Sequence, residues 1–287
     1  MTNHGDDSRR RRRVLVTGAA GQVIRQVLPA FRDRYDLVLL DLEASVTGQG
    51  DIIHAADLRN PDLDSYRHHF RGVDTVVHAS QRWLGRHYDE ERDRELDNYY
   101  VERDNLDMAF HMFKASLVEG VRRVVVTSSN HAADWYETLV HRGLMDTISE
   151  RDLPLSDRLY GWAKASYELL GFVFATGRFG RPLENVHIRI GAPRPIEGAK
   201  LAGDLPRYRR DLGAYVSERD LQQLYVRAIE TEDIRNEHGI PFQIVYGVSG
   251  NRRRFWSLVS ARRVLGYEPE DDSEVRFSEE IQRYLGP

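Results

Sequence analysis

Two short stretches of this chain carry residue types that could move a proton. Val121-Arg122-Arg123-Val124-Val125-Val126-Thr127-Ser128-Ser129-Asn130-His131 runs apolar and β-branched, then ends abruptly in hydroxyl, amide and imidazole side chains. That is the pattern of a buried strand whose carboxyl end faces a crevice. Thirty-one residues after Ser129 comes Tyr160-Gly161-Trp162-Ala163-Lys164. On a helix, Tyr160 and Lys164 sit one turn apart on one face, where an ammonium favours the phenolate and draws the phenol pKa down from about 10 toward neutrality. A tyrosine tuned in this way can serve as a general base. Tyr-x-x-x-Lys alone is also an ordinary surface pair. Its order and distance behind the Ser-Ser strand end and a glycine turn are what mark it as a site.

The glycine turn opens the chain's regular structure. Val14-Leu15-Val16-Thr17-Gly18-Ala19-Ala20-Gly21-Gln22-Val23-Ile24-Arg25 reads as a buried strand feeding a helix, with Val23, Val27, Leu28 and Phe31 at helical spacing. Gly18, Ala20, Gly21, Gln22 and Val23 would form a cradle in which backbone amides and the positive end of a helix meet a pyrophosphate. Many tight turns look the same. Support comes from Asp36-Leu37-Val38-Leu39-Leu40-Asp41, a second buried strand closing on the carboxylate expected to accept a ribose 2′-OH. Asp41, followed by Leu42 and Glu43 rather than a basic residue, favours NAD over NADP; the bland reading is a strand-ending turn residue. Spacing puts a third glycine at 24, where Ile24 stands and would crowd the helix against the strand or the cofactor.

The remaining elements alternate. Asp51 to Leu58 forms a short strand whose Asp57 and Leu58 lie beside an adenine or simply lead into a helix over about 61 to 70. Val73 to Ser80 is a further buried strand, with His78 read as a packed strand-end residue. Adjacent His68 and His69 point to different helix faces, and no His-x-x-x-His pair has a carboxylate beside it, so no metal is expected. Residues 84 to 104 alternate charges, with Glu90 and Arg94 at helix spacing, and run into an apolar stripe of Leu106, Met108, Ala109, Met112 and Phe113. After the strand 186 to 190 come Ala192-Pro193-Arg194-Pro195, an irregular stretch 196 to 214, helix 218 to 230, strand 242 to 246 and helix 256 to 265. The alternation implies an α/β fold, a doubly wound parallel Rossmann sheet with a small C-terminal substrate-binding lobe. The expected division is a disordered basic tail at 1–13, a dinucleotide-binding domain at 14–191 and the lobe, with returning sheet elements, at 192–287.

Composition sets the outer limits. The 287 residues can bury a sizeable core, and 41 basic against 45 acidic residues give a net charge of -4, with no global field calling for nucleic acid or a membrane. Cysteine is absent, which removes disulfides and thiolate chemistry and fits a reducing cytoplasm. No apolar run reaches the roughly 18 to 20 residues of a membrane span. The Arg9 to Arg13 block has no apolar region behind it suited to a signal peptide.

With these residues in place the chain resembles the short-chain dehydrogenase/reductase superfamily in its extended, epimerase/dehydratase branch, and within it the uronate dehydrogenases. Thr17-Gly18-x-x-Gly21, Asp41, Asp57-Leu58, His78-Ala79, Ser129 and Tyr160-x-x-x-Lys164 carry the superfamily likeness; Ser128-Ser129-Asn130-His131, Leu159-Tyr160-Gly161, Arg189-Ile190-Gly191, Tyr215 to Asp220 and Leu265 to Pro269 carry the narrower one. The resemblance implies NAD held by the turn, Asp41, Asp57, Leu58, His78, Ala79, Tyr160 and Lys164. It implies catalysis by Ser129, Tyr160 and Lys164, oxidising a sugar hydroxyl, with C1 of a hexuronate or related aldose going to a lactone. Ser128, Ser129, Asn130 and His131 would bind the sugar, and Arg210 aligns with the family's substrate arginine; a solvated turn explains the cluster Arg207, Arg209 and Arg210 about as well. Asn105 matches a family asparagine, whereas Met108, His111 and Ala192 depart from the expected glycine, asparagine and serine. The resemblance also implies a homo-oligomer built through helices near 95 to 118 and 157 to 178. Two alternatives stay open: a nucleotide-sugar epimerase or dehydratase with tightly held NAD, against which only 123 residues after Lys164 argue, and a non-catalytic NAD-binding regulatory protein.

Overall fold

Uninterrupted β-branched runs need cover on both faces, and the chain supplies it by alternating strands with helices. The computed structural model describes residues 11–83 and 92–285, with no side chains described for 92–95. The strands are β1 (Arg13–Thr17), β2 (Asp36–Asp41), β3 (Ser45–Val46), β4 (Ile52–Ala55), β5 (Thr75–His78), β6 (Arg123–Ser129), β7 (Glu184–Ile190) and β8 (Phe242–Gly247). The helices are α1 (Gln22–Arg32), α2 (Arg92–Val118), α3 (Trp135–His141), α4 (Leu159–Ala175), α5 (Gly198–Leu201), α6 (Leu205–Ala214), α7 (Glu218–Glu230), α8 (Val259–Leu265), α9 (Ser273–Arg276) and α10 (Ser278–Leu285). One sheet runs β3-β4-β2-β1-β5-β6-β7-β8, parallel throughout except for the antiparallel β3–β4 pair. The doubly wound parallel architecture expected from the sequence is therefore present.

Alternation along each strand divides the core into two layers. Val14, Val16, Val77, Val125, Val186 and Ile188 pack with α1, α7 and α8 on one face, while Leu15, Val76, Val124 and Val126 pack with α2 and α4 on the other. Helix α1 buries Ile24, Val27, Leu28 and Phe31, the i, i+3, i+4, i+7 spacing of a single stripe. The order of strands reverses direction between β1 and β5, and a ligand crevice is expected beyond their carboxyl ends.

Several elements differ from expectation. The segment near 61 to 70 forms two 3-10 turns, Leu63–Ser65 and Arg67–Phe70, because Asn60 and Asp62 side chains capture the N–H groups of Asp62 and Asp64 and compete with an α-helix. There the rings of His68 and His69 lie 3.9 Å apart rather than on separate faces. The stretch expected to be irregular contains α5 and α6. Asp204 caps α6 by accepting from the Arg207 N–H at 3.0 Å, Pro206 occupies its first turn, and Tyr208, Asp211 and Leu212 are buried along it. Residues 256 to 258 precede α8 instead of joining it, since Ile148 and Trp256 form an isolated parallel bridge. Strand β8 pairs in parallel with β7 at the edge of the main sheet. Arg13 belongs to β1, whereas residues 1–10 of the expected tail and residues 84–91, with Glu90, lie outside the described residues.

Candidate active site

The turn after β1 is shaped by what it must approach. Gly18 has φ +69°, and a Cβ there would stand 2.7 Å from the Ala79 carbonyl carbon and the Ser80 nitrogen, so any side chain is excluded by conformation and by space. Gly21 is the N-cap of α1 without a side-chain cap, and the first turn contains no acidic residue, which leaves the helix's positive end unneutralised. Ile24 is fully buried in the core with Val27, Leu28 and Phe31 while also bordering the crevice. The branched side chain thus has its own place in the packing.

A cleft of about 690 Å³ opens at this point, lined by Gly18, Ala20 to Ile24, Asp41, Leu42, Ala56 to Arg59, Ala79 to Trp83, Met108 and Tyr160. Asp41 Oδ2 accepts from the Ala20 N–H at 2.9 Å and Oδ1 from the Leu42 N–H at 2.7 Å, so the carboxylate ties the end of β2 to the glycine turn. Asp57 is clasped by Arg59 through bonds of 2.9 and 2.7 Å, and those hydrogen bonds hold its carboxyl below the usual range. Leu58 is 3% exposed and its carbonyl meets His111 Nδ1 at 2.7 Å. These features fit a dinucleotide: a cradle that a Cβ would fill, an uncapped helix N-terminus for the diphosphate, and a carboxylate beside the turn for ribose hydroxyls.

Tyr160 reaches the same cleft from the first turn of α4. Gly161 makes this possible, since a Cβ there would stand 2.2 Å from the His131 carbonyl oxygen and from Ser156 Oγ. Helix α4 therefore seats directly on the 3-10 turn Asn130–Ala133 that follows β6. The Tyr160 ring lies 5.8 Å from His131 and 5.8 Å, edge-on, from Trp83. Lys164 Nζ is buried, donates to the Thr127 carbonyl at 3.2 Å, and sits 5.6 Å from the Tyr160 ring centroid. Burial pushes its pKa down to about 8, opposed by the carboxylates of Glu102 and Glu168. Ser129 Oγ accepts from the His131 N–H at 3.2 Å, and the buried Asn130 Nδ2 has no partner among the described residues. His131 Nδ1 pairs with Asp134 Oδ2 at 2.9 Å.

Other expected site residues point elsewhere. His78 is 2% exposed, hydrogen-bonds Thr17 Oγ1 at 2.8 Å and is kept neutral by burial and by the Lys164 charge, with its pKa near about 3; it packs beneath the cleft. Ser128, on the opposite face of β6 from Ser129, donates to Glu168 Oε1 at 2.8 Å. Glu168 in turn receives Arg189 through bonds of 2.8 and 2.7 Å, and Arg189 donates to Tyr246 at 2.9 Å, a sealed ionic cluster inside the sheet layer. Arg210 is forked on Glu137. Ala192 forms an isolated bridge with Tyr215. Among the described residues no group of three His, Cys, Asp or Glu is placed to hold a metal.

Sequence reasoning passed over Ser80 to Trp83 and Arg59, which complete the cleft wall together with Met108, noted there only as a core residue and a departure from a family glycine. Asn105 holds that wall, its amide oxygen accepting from the Arg82 N–H at 2.6 Å and its nitrogen donating to the Arg82 carbonyl at 3.1 Å. The charged Glu168 on a mostly apolar helix, four residues after Lys164, was a signal that could have exposed the ionic cluster.

Residues 14–172 match the NAD dependent epimerase/dehydratase family. The chain is 31% identical over 272 residues to an NAD-dependent glucose-6-phosphate dehydrogenase of Haloferax volcanii, covering 91% of this chain and 94% of that protein. It is 30% identical over 267 residues to a uronate dehydrogenase of Pseudomonas syringae, covering 92% and 83%. The solved glucuronic acid dehydrogenase of Chromohalobacter salexigens superposes with a TM-score of 0.72 at 25% identity, over 96% of this chain and 90% of that one. With the glycine turn, the Asp41 strand end and Tyr160 around one cleft, the chain belongs to the NAD dependent epimerase/dehydratase family.

Proposed function

We propose that the protein is an NAD-dependent dehydrogenase that oxidises a sugar hydroxyl, at C1 of a hexuronate or related aldose, to give a lactone from the ring form. The observation that carries this reading is the single cleft shared by the dinucleotide turn and the Tyr160 phenol. Tyr160 takes the hydroxyl proton, and the buried Lys164 ammonium favours the phenolate that accepts it. Ser129 and the Asn130 amide nitrogen, which has no partner among the described residues, hold the sugar oxygen, and Asp41 with the α1 N-terminus holds the dinucleotide. Bound NAD supplies the acceptor for the hydride leaving the same carbon. Ser128 and His78 support the site from below, and residues 192–287 furnish its substrate wall.

Steady-state NADH formation with a panel of aldoses, uronates and sugar phosphates tests the assignment. Turnover of at least one of them is expected. No turnover in a preparation shown to bind NAD removes it, and stoichiometric NAD retained through purification with stabilisation by a UDP-sugar replaces it by an epimerase reading.

We further infer a homodimer through α2 and α4, which expose Tyr99, Tyr100, Trp162, Leu169 and Phe172, with Tyr99 stacked on Trp162 at 5.9 Å. Light scattering that returns a monomer at micromolar concentration rejects it. Among the described residues no helix is long and apolar enough to cross a membrane. A cytoplasmic location is our reading from the cysteine-free composition.

A further inference from the structure

We propose that Trp83 is the platform on which the sugar ring stacks, so that the site takes a cyclic sugar by its C–H face and presents the reacting hydroxyl to Tyr160. The inference rests on the sugar dehydrogenase reading above and deepens it, by naming the contact that selects the ring form.

Trp83 lies in the wall of the cleft that Tyr160 enters, and it is 46% exposed. Its ring meets that of Tyr160 edge-on, with centroids 5.8 Å apart and planes at 87°. In such a pair Tyr160 covers at most one face of the indole. A hydroxyl close enough to give its proton to the phenol therefore belongs to a molecule that also lies beside Trp83. A pyranose or furanose carries its hydroxyls around the rim and C–H bonds across its faces. The negative face of an aromatic ring attracts those C–H hydrogens, while the rim stays available to Ser129 and to the buried Asn130 Nδ2, which has no partner among the described residues. An open-chain sugar has no flat C–H face to set against the indole.

The wall fixes Trp83 independently of any ligand. Ala79 and Ser80 back directly onto the glycine turn, where a Cβ on Gly18 would stand 2.7 Å from them. Two residues further on, Asn105 of α2, itself 1% exposed, accepts from the Arg82 N–H at 2.6 Å and donates to the Arg82 carbonyl at 3.1 Å. Its amide nitrogen also donates to Glu102 at 3.1 Å, and Asp104 holds the Arg82 side chain in an ion pair. Residues 79 to 83 thus run from the dinucleotide turn to the phenol, a span of at most about 14 Å. With both ends of that span anchored, the indole is already in position when a sugar arrives, which lowers the entropic cost of holding the ring.

The test uses Trp83→Leu, which keeps an apolar side chain without an aromatic face, and Trp83→Phe, which keeps a face. On the sugar that the wild-type protein turns over best, Trp83→Leu should raise KM by about tenfold with kcat within about threefold, and Trp83→Phe should recover most of the loss. An unchanged KM in Trp83→Leu overturns the inference. A calorimetric Kd for NAD that rises as far as the KM gives the indole to the nicotinamide and overturns it as well. Thermal unfolding of the NADH-saturated protein supplies a readout apart from turnover. At least one of glucose, galactose, xylose and glucuronate should raise the wild-type Tm and leave that of Trp83→Leu unmoved, while sorbitol, the open-chain counterpart of glucose, at the same concentration should raise neither. If no sugar reduces NAD, the dehydrogenase reading fails, and the thermal response still decides the stacking: a wild-type Tm indifferent to every sugar, or raised equally in Trp83→Leu, overturns it. Should Trp83→Leu not fold, the wild-type contrast between the cyclic sugars and sorbitol decides alone.

Discussion

Gly161→Ala sets two physical effects against each other, and the structure says which one wins. In an unhindered helix the change from glycine to alanine stabilises by about 1 kcal/mol, because the unfolded backbone loses freedom. At this position the new Cβ would stand 2.2 Å from the His131 carbonyl oxygen and 2.2 Å from Ser156 Oγ. Non-bonded heavy atoms need roughly 3.5 Å, so α4 must move by about 1 Å from the turn it rests on. Overpacking of that kind costs roughly 1–3 kcal/mol, which lowers Tm by about 2–8 °C for a chain of this size. The same displacement carries Tyr160, the adjacent residue, away from the sugar oxygen, and a misplacement of about 1 Å is worth roughly 100-fold in turnover. Thermal unfolding and steady-state kcat on the favoured sugar measure the two effects. NAD affinity should fall far less than kcat, because the glycine turn is untouched. Removing the second obstacle with Ser156→Gly should not rescue the variant, since the His131 carbonyl is backbone and stays. A Gly161→Ala protein with wild-type kcat and Tm would refute the packing argument, and rescue by Ser156→Gly would show that the side chain and not the backbone sets the limit.

Tyr160→Phe removes the proposed proton acceptor and should lower kcat by at least about 100-fold while calorimetry still detects NAD binding; full activity would place the base elsewhere. Asp41→Ala removes both the proposed ribose acceptor and the 2.9 Å tie to the Ala20 N–H, and loss of a charged hydrogen bond predicts roughly a 10- to 100-fold fall in kcat/KM for NAD with little change for NADP. With the Lys164 pKa held down to about 8 by burial, kcat/KM should decline above pH about 8 as the ammonium that favours the phenolate is lost. Stability runs the other way: the unfolded lysine keeps its proton up to about 10.4, so between these values the unfolded state binds more protons and the cost of the buried charge disappears as pH rises. Lys164→Met should therefore be inactive yet more stable than wild type at pH 7, an advantage that shrinks in denaturant titrations between about pH 8 and 10.5. A constant difference across that range would refute it.

Much of this protein was legible in one dimension because its strongest signals are local. A β-branched run ending at Gly18, a second ending at Asp41 and a third ending in Ser128 and Ser129 each fix a strand and its carboxyl end without reference to the rest of the chain. Parallel strands joined by helices then leave one architecture, and its direction reversal beside β1 fixes where a ligand goes. Sequence spacing likewise placed Tyr160 and Lys164 on one helical face. What spacing could not supply was the partner of each polar side chain. Ser128 and Ser129 are neighbours in sequence, yet the pleat sends one to the buried Glu168–Arg189 cluster and leaves the other capping the turn beneath Tyr160. Glu137 and Arg210 are 73 residues apart, and only the packing of α3 against α6 brings their charges together. The identity of an element is set by its own residues, whereas the charge that a binding site presents is a sum over groups that folding alone makes neighbours.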